Sequence, residues 1–140
     1  MDNSTAKKIA TLLNERNKLP TQLREHDIIN GNYFFIDAKE ENQPRQLIAC
    51  ARAKLMSFYA YEIKHVAVNP DFERKGFGQM MINLVEDYIR TRKVPVVFAT
   101  TRADNEPIIK LFTKLDYTRT KEFTNSGTKH PLILWQKYLI

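Results

Sequence analysis

The sequence predicts an α/β (α+β) fold: a mixed, mostly antiparallel sheet with a central parallel β-α-β crossover and flanking helices. Three observations carry this expectation. Two strand-like runs, "YFFIDAK" and "QLIACARAKLM", are separated by the polar turn "EENQP" and read as an antiparallel hairpin. A third run, "YEIKHVAV", is followed by a helix-periodic stretch and then by "VPVVFATT", the order that builds a right-handed parallel crossover. The C-terminal "YTRTKEFTNSGTKHPLILWQKYL" reads as two further strands joined by Asn125-Ser126-Gly127.

The helices follow from their spacing. Between Thr5 and Asn17, Ala6, Ile9, Ala10 and Leu13 recur on one helical face, and Ser4 is the expected cap. Pro20 interrupts this pattern, and "TQLREHDIINGN" reads as a short second helical or turn segment closed by Asn30-Gly31-Asn32. A helix from about Gly78 to Arg92 places Met81, Leu84, Val85, Tyr88 and Ile89 on one face. The continuous apolar character of "VPVVFATT" predicts a strand buried on both faces. "NEPIIKLFTKL" is the final helix, with Ile108, Leu111, Phe112 and Leu115 on one side and Pro107 in the first turn, where its missing N–H costs nothing. No repeat, linker or low-complexity stretch divides the chain, so one domain is expected over residues 1–140.

Composition narrows the function classes. Twenty-two Lys and Arg against 16 Asp and Glu leave a net charge of +6, which favours an anionic partner: a phosphorylated cofactor, a nucleic acid or an acidic protein. The basic residues are scattered from Lys7 to Lys137, so a solvated basic surface explains them equally well. Cys50 is the only cysteine, which excludes an intramolecular disulfide and a multi-cysteine zinc site, and it reads as a small core hydrophobe. His26 and His130 have no metal-ligand spacing, and no metal is expected. With no apolar run near the ~18 residues of a membrane span, and with charges in the first residues, a soluble cytoplasmic protein is expected.

The stretch "HVAVNPDFERKGFGQMM", His65 to Met81, places Gly76 and Gly78 between a strand and a helix. It is neither a nucleotide-hydrolase phosphate loop, because Gly78 is followed by Gln79-Met80, nor a dinucleotide fingerprint, because the third glycine position is Met81. Two readings stay open on local sequence: an anion site on the free N–H groups of a helix start, or a glycine-assisted turn.

The context "VAVNPDFERKGFGQMMI" resembles the acyl-CoA-binding motif of the GNAT N-acetyltransferase superfamily, in which a strand ending near Val-x-Pro is followed by Gln/Arg-x-x-Gly-x-Gly/Ala and a helix. "NEPIIKLFTKLDY" resembles the family's later helix, with Asn105 and Lys114 in place, and the element order from Tyr33 to Ile140 follows the family's sheet. The resemblance implies that backbone N–H groups of Arg74, Lys75, Gly76, Phe77, Gly78 and Gln79 hold the pyrophosphate of acetyl-CoA. It implies further that Val66, Ala67 and Val68 offer main chain to the pantetheine arm, which Asn105 also faces, with Phe112 beside it. Three positions depart from the pattern. Glu73 stands where Gln or Arg is usual, Phe112 occupies the position of the common acid Tyr, and Asp116 replaces a frequent Gly. No first strand precedes the first helix, so the resemblance implies a trimmed member.

For the chemistry, Glu62 lies four residues before Val66, a spacing that resembles acetyltransferases with a strand glutamate as base. On a regular strand Glu62, Lys64, Val66 and Val68 share one face. An exposed Glu62 paired with Lys64 is the other reading. The N–H of Val66, at the family's oxyanion position, is expected to polarise the acetyl carbonyl. His65 alternates away from Glu62 and reads as a satisfied core or surface histidine, and Tyr117 and Trp135 as core. The leading expectation is an acetyl-CoA-dependent N-acetyltransferase acting on a primary amine of a small molecule or protein. Leu19 to Gly31 and Phe123 to Lys129 would shape the acceptor site. The alternatives are an acyltransferase acting on nucleic acid, or an inactive CoA- or nucleic-acid-binding protein on the same scaffold. The oligomeric state is left open, a dimer included.

Overall fold

The computed structural model describes every residue except Lys18, Asn125, Thr128 and Ile140, so the turn expected at Asn125-Ser126-Gly127 falls partly outside the described residues. The first helix, α1 (Asn3–Arg16), begins two residues earlier than a cap at Ser4 would allow. Asp2 Oδ1 accepts the Thr5 N–H at 2.7 Å, and a carboxylate at this position also favours the positive end of the helix. The second, α2 (Glu25–Asn30), is fixed by Asp27, whose Oδ2 accepts the Arg24 N–H at 2.8 Å, and stops at Gly31.

Six strands form one sheet: β1 (Tyr33–Ala38), β2 (Gln46–Ser57), β3 (Ala60–Val68), β4 (Val96–Arg102), β5 (Thr118–Thr124) and β6 (Pro131–Tyr138), in the spatial order β1-β2-β3-β4-β6-β5. All neighbours are antiparallel except β3 and β4, the parallel pair on either side of α3 (Phe77–Thr91). The expected fold class is therefore the observed one. Helices α1 and α2 cover one face, where Ile9, Leu13 and Ile28 meet Tyr33, Leu47, Cys50 and Ala67. Helices α3 and α4 (Glu106–Lys114) cover the other, where Met81, Ile82, Val85 and Ile89 pack with Phe112, Val97, Ile63 and Trp135.

Two details differ from the periodic expectation. On α3 the fourth buried position is Ile82 while Leu84 is 38 % exposed, because the helix starts at Phe77 and its apolar stripe is turned toward the sheet accordingly. Strand β4 is not buried on both faces. Val97, Ala99 and Thr101 are buried while Val96, Phe98 and Thr100 are half-buried, an alternation left because only part of one face is covered.

After α4 the chain turns at Asp116, which sits at φ +68. The Tyr117 N–H donates to Phe112 O at 3.0 Å and the Asp116 N–H to Thr113 O at 3.2 Å, the paired bonds of a helix end that calls for a left-handed residue. Aspartate tolerates that conformation, so the departure from glycine at Asp116 is confined to the turn.

Candidate active site

The site begins with an irregularity in β3. Its antiparallel register with β2 runs Cys50↔Ala67 and then Arg52↔Lys64, so Ala51 faces two residues, His65 and Val66. His65 takes φ +55 to accommodate the extra residue. One consequence is a change of face. Lys64, opposite Arg52, and His65, stacked on Tyr33, belong to the α1–α2 face, as does Glu62 opposite Lys54, whereas Val66 and Val68 pack on the α3 side. The expectation that Glu62, Lys64, Val66 and Val68 share one face is thus overturned, and so is the placement of His65 opposite Glu62, because a bulge resets the two-residue alternation.

The second consequence is a gap. Parallel pairing of β3 with β4 ends at Ile63↔Ala99, although β3 continues to Val68 and β4 to Arg102. Between the separating strands lies a cavity of about 680 Å³ that reaches from Leu19 and Pro20 on one face of the sheet to Ile108 and Phe112 on the other. Glu62, Val66, Asn105 and Phe112, four of the sequence-predicted residues, are brought together in its lining. Asn105 caps α4, its Oδ1 accepting the Ile108 N–H at 3.3 Å. Phe112 is buried between Tyr117 and Trp135, with ring centroids 4.8 and 5.8 Å away, and carries no proton to give.

The other predicted residues lie beyond the cavity. Ala67 turns its methyl into the α1–α2 core, so only its main chain could serve a ligand. Past Val68, Asn69 ties the strand end down: its Nδ2 donates to Leu47 O at 2.9 Å and its Oδ1 accepts the Asp71 N–H at 3.0 Å. A short 3₁₀ turn, Pro70–Phe72, follows, and the chain then passes through two left-handed residues, Arg74 at φ +61 and Gly76 at φ +85, into α3. Arg74, Lys75 and Gly76 are exposed, and Lys75 Nζ lies 5.8 Å over the Phe72 ring.

No side chain caps α3, and its first turn holds no acid, so among the described residues the Phe77, Gly78 and Gln79 N–H groups have no side-chain acceptor. The two glycines have separate jobs. A Cβ on Gly76 would meet nothing within 4 Å, so that position is set by its backbone angle, whereas a Cβ on Gly78 would come within 3.1 Å of Leu111 Cδ2 and 3.8 Å of Val68 Cγ2. Gly78 therefore lets the helix start lie against β3 and α4. Gly76→Ala is expected to lower stability by about 1–2 kcal/mol through the left-handed backbone alone, measured by urea unfolding.

Residues 7–117 match the family described as the Acetyltransferase (GNAT) family. The chain belongs to the GNAT acetyltransferase family. It is 36% identical over 53 residues to the ribosomal protein bS18-alanine N-acetyltransferase of Salmonella typhimurium, a stretch covering 38% of this chain and 36% of that protein. The chain spans between about a third and a half of the length of the curated relatives it matches. Among solved structures it is similar to the NatC complex bound to Gag peptide and CoA, with a TM-score of 0.85, 12% identity, and 99% and 93% of the two chains covered. It is also similar to a GNAT family acetyltransferase from Elizabethkingia anophelis with acetyl-CoA bound, with a TM-score of 0.71, 19% identity and coverage of 92% and 89%. At these identities the structural likeness is one of fold.

Several residues around this GNAT site were not singled out by the sequence. Arg16, in the last turn of α1, forms an ion pair with Glu73, so the carboxylate that departs from the family pattern is compensated by a guanidinium. Asn17 Nδ2 donates to Val66 O at 3.3 Å, holding the bulge from the α1 side. Tyr33 and His65 share a hydrogen bond of 2.6 Å. Burial pushes the Tyr33 hydroxyl up to about 12 and the His65 imidazole down to about 4, with Lys64, Arg52 and Lys54 adding to the latter. These pairs join residues 32 to 57 apart in sequence, and none has a local signature.

His65 thus stays neutral in the folded protein where an unfolded chain would protonate it near 6.5. Between pH 6.5 and about 4 the unfolded state binds more protons, so this residue's contribution to stability is present above pH 6.5 and is lost as pH falls toward 4. His65→Gln is expected to flatten the pH dependence of the urea midpoint over that window relative to the native chain.

Among the described residues there is no group of three or more His, Cys, Asp or Glu able to hold a metal ion, and no helix long and apolar enough to cross a membrane. Cys50 is fully buried, and burial pushes its thiol up to about 12.

Proposed function

We propose that the protein is an acetyl-CoA-dependent N-acetyltransferase acting on a primary amine, its 140 residues working as one domain. The observation that supports this best is the gap between β3 and β4, with Glu62 and Val66 in its lining and the uncapped start of α3 beyond its end. The α3 start fits a pyrophosphate: the left-handed Arg74 and Gly76 turn backbone N–H groups together, open space surrounds Gly76, and no acid stands in the first turn. Glu73 does not spoil this fit, since Arg16 compensates its charge. The proposal therefore keeps the enzyme reading over the inactive one.

In this reading the N–H groups from Arg74 to Gln79 hold the pyrophosphate, with Arg74 and Lys75 adding charge nearby. Val66, Ala67 and Val68 offer main chain to the extended arm, and Asn105 and Phe112 flank it from α4. Bound acetyl-CoA supplies the acetyl group and a thiol leaving group. The Val66 N–H polarises the acetyl carbonyl, and Glu62 takes a proton from the attacking amine, directly or through water. Phe112 cannot protonate the leaving sulfur. A thiol with an ordinary pKa of ~8.5 leaves as thiolate, so the missing acid slows the step without forbidding it.

The segments expected to shape the acceptor site supply Leu19, Pro20 and Phe123 to the cavity lining, beside Leu132. Release of CoA thiol in the presence and absence of an amine panel tests the proposal. Amine-dependent release with mass-detected acetylated product is the expected outcome, and equal release with and without any amine would sink it.

A further inference from the structure

We propose that the acceptor carries an anionic oxygen group, a carboxylate or phosphate, that binds between Lys64 and Arg52; this rests on the N-acetyltransferase reading. The two residues are direct cross-strand partners on the α1–α2 face of β2 and β3. Like charges directly opposite each other destabilise a sheet, and both of these residues are half-buried, where water screens them less. Among the described residues neither meets a carboxylate within ion-pair distance.

Glu62 is the nearest acid along the strand, and it stands opposite a third cation, Lys54. Arg52 lies over the Tyr33 ring at 5.7 Å, with its Nε buried and without a hydrogen-bond partner. Asp27 shares a pocket with Tyr33 and Arg52, but its carboxylate is occupied by the Arg24 N–H and by His26 rather than by the Arg52 guanidinium. His65 beside them is neutral. Burial, against the pull of Glu62, holds the Lys64 ammonium below the ordinary lysine value, and Lys54 and Arg52 add to that. A sheet that sets two half-buried cations face to face, with Glu62 the one acid acting on Lys64, is arranged for an anion to join them.

That anion is not the cofactor's pyrophosphate. Lys64 is four residues from Val68, about 13 Å along the strand from the α3 start, and on the opposite face of the sheet. Lys64 lines the same cavity as Glu62 and Arg52 lines the neighbouring pocket beside Tyr33, so an amine at Glu62 places its acidic group within reach of the lysine, with the arginine behind it across the strand pair. The arrangement has a chemical benefit as well. A positive field around the amine lowers its pKa and raises the fraction of the neutral nucleophile.

The first test needs no acceptor. Lys64→Met keeps the apolar stem and removes one of the facing charges, so the free protein is expected to melt about 2 °C higher. A lower melting temperature would overturn the proposal, because the lysine would then be a structural brace.

The second test is calorimetric titration, at saturating CoA, with matched amines: the tripeptide amides Asp-Ala-Ala and Asn-Ala-Ala, β-alanine and β-alaninamide, and O-phosphoethanolamine and ethanolamine. At least one acidic member should bind about tenfold tighter than its neutral partner, and Lys64→Met should remove most of that preference. The pair with the larger preference identifies carboxylate or phosphate. Equal binding within every pair, or no amine binding while CoA binds, overturns the anion subsite. Failure of CoA itself to bind overturns the acetyltransferase reading instead.

Discussion

Glu62→Gln is expected to lower kcat/KM for the acceptor amine by about 10²–10³-fold, the lower part of the range in which a positioned general base contributes. Glutamine keeps the shape of the side chain and its place in the cavity lining but cannot take a proton. Acetyl-CoA affinity should hardly change, because the residues assigned to the pyrophosphate lie beyond Val68 at the other end of the strand. The loss should shrink as pH rises and more of the amine arrives neutral. A loss of less than about threefold at neutral pH would return Glu62 to the alternative reading, a charged strand residue paired with Lys64.

The largest expected effect on stability lies elsewhere, under β6. Glu86 on α3 is 2 % exposed, accepts the Tyr117 O–H at 2.7 Å, and meets Lys137 Nζ at 3.1 and 3.2 Å and Arg90 at 3.5 Å. Lys137 also lies 5.2 Å over the Tyr117 ring, so the three side chains form one unit around the buried Glu86 carboxylate, with Lys137 half-buried at its edge. Lys137→Met leaves the Glu86 charge with Arg90, which is largely in solvent, and should cost about 3–5 kcal/mol, a large part of what holds a domain of this size together. Combining it with Glu86→Leu should recover much of that loss, since a buried charge is then removed along with its partner.

The same cluster bears on catalysis. Burial and the neighbouring Glu86 charge raise the Tyr117 hydroxyl above the ordinary tyrosine range, and its proton is already donated to Glu86. Tyr117→Phe is therefore expected to lower the urea midpoint and leave kcat within about twofold, whereas a large fall in kcat with unchanged stability would make Tyr117 the missing acid.

What the sequence made legible was whatever depends on local spacing. The two hairpins, the strand before the glycines, and the helix with Asn105 at its start and Pro107 in its first turn all follow from neighbours a few residues apart. Less legible was the geometry set by pairing. The bulge at His65 exists only relative to β2, and a histidine in the left-handed region has no signature of its own, so the even alternation from Glu62 to Val68 failed there. The gap that makes the cavity is a product of that bulge and of where β4 stops pairing. Arg16 with Glu73 joins distant segments, and Lys64 faces Arg52 only through the register of the adjacent strands β2 and β3, so nothing local announces either. The placement of Asp2 as the cap of α1 shows the smaller error of choosing between capping residues two positions apart.

The central claim is that backbone N–H groups at the start of α3 close on the pyrophosphate of acetyl-CoA. Calorimetric titration with acetyl-CoA, CoA and ATP side by side tests it most directly. Saturable one-to-one binding of both CoA species without comparable binding of ATP is the predicted result. A folded protein that binds neither CoA species, or binds ATP as well as it binds them, would contradict it.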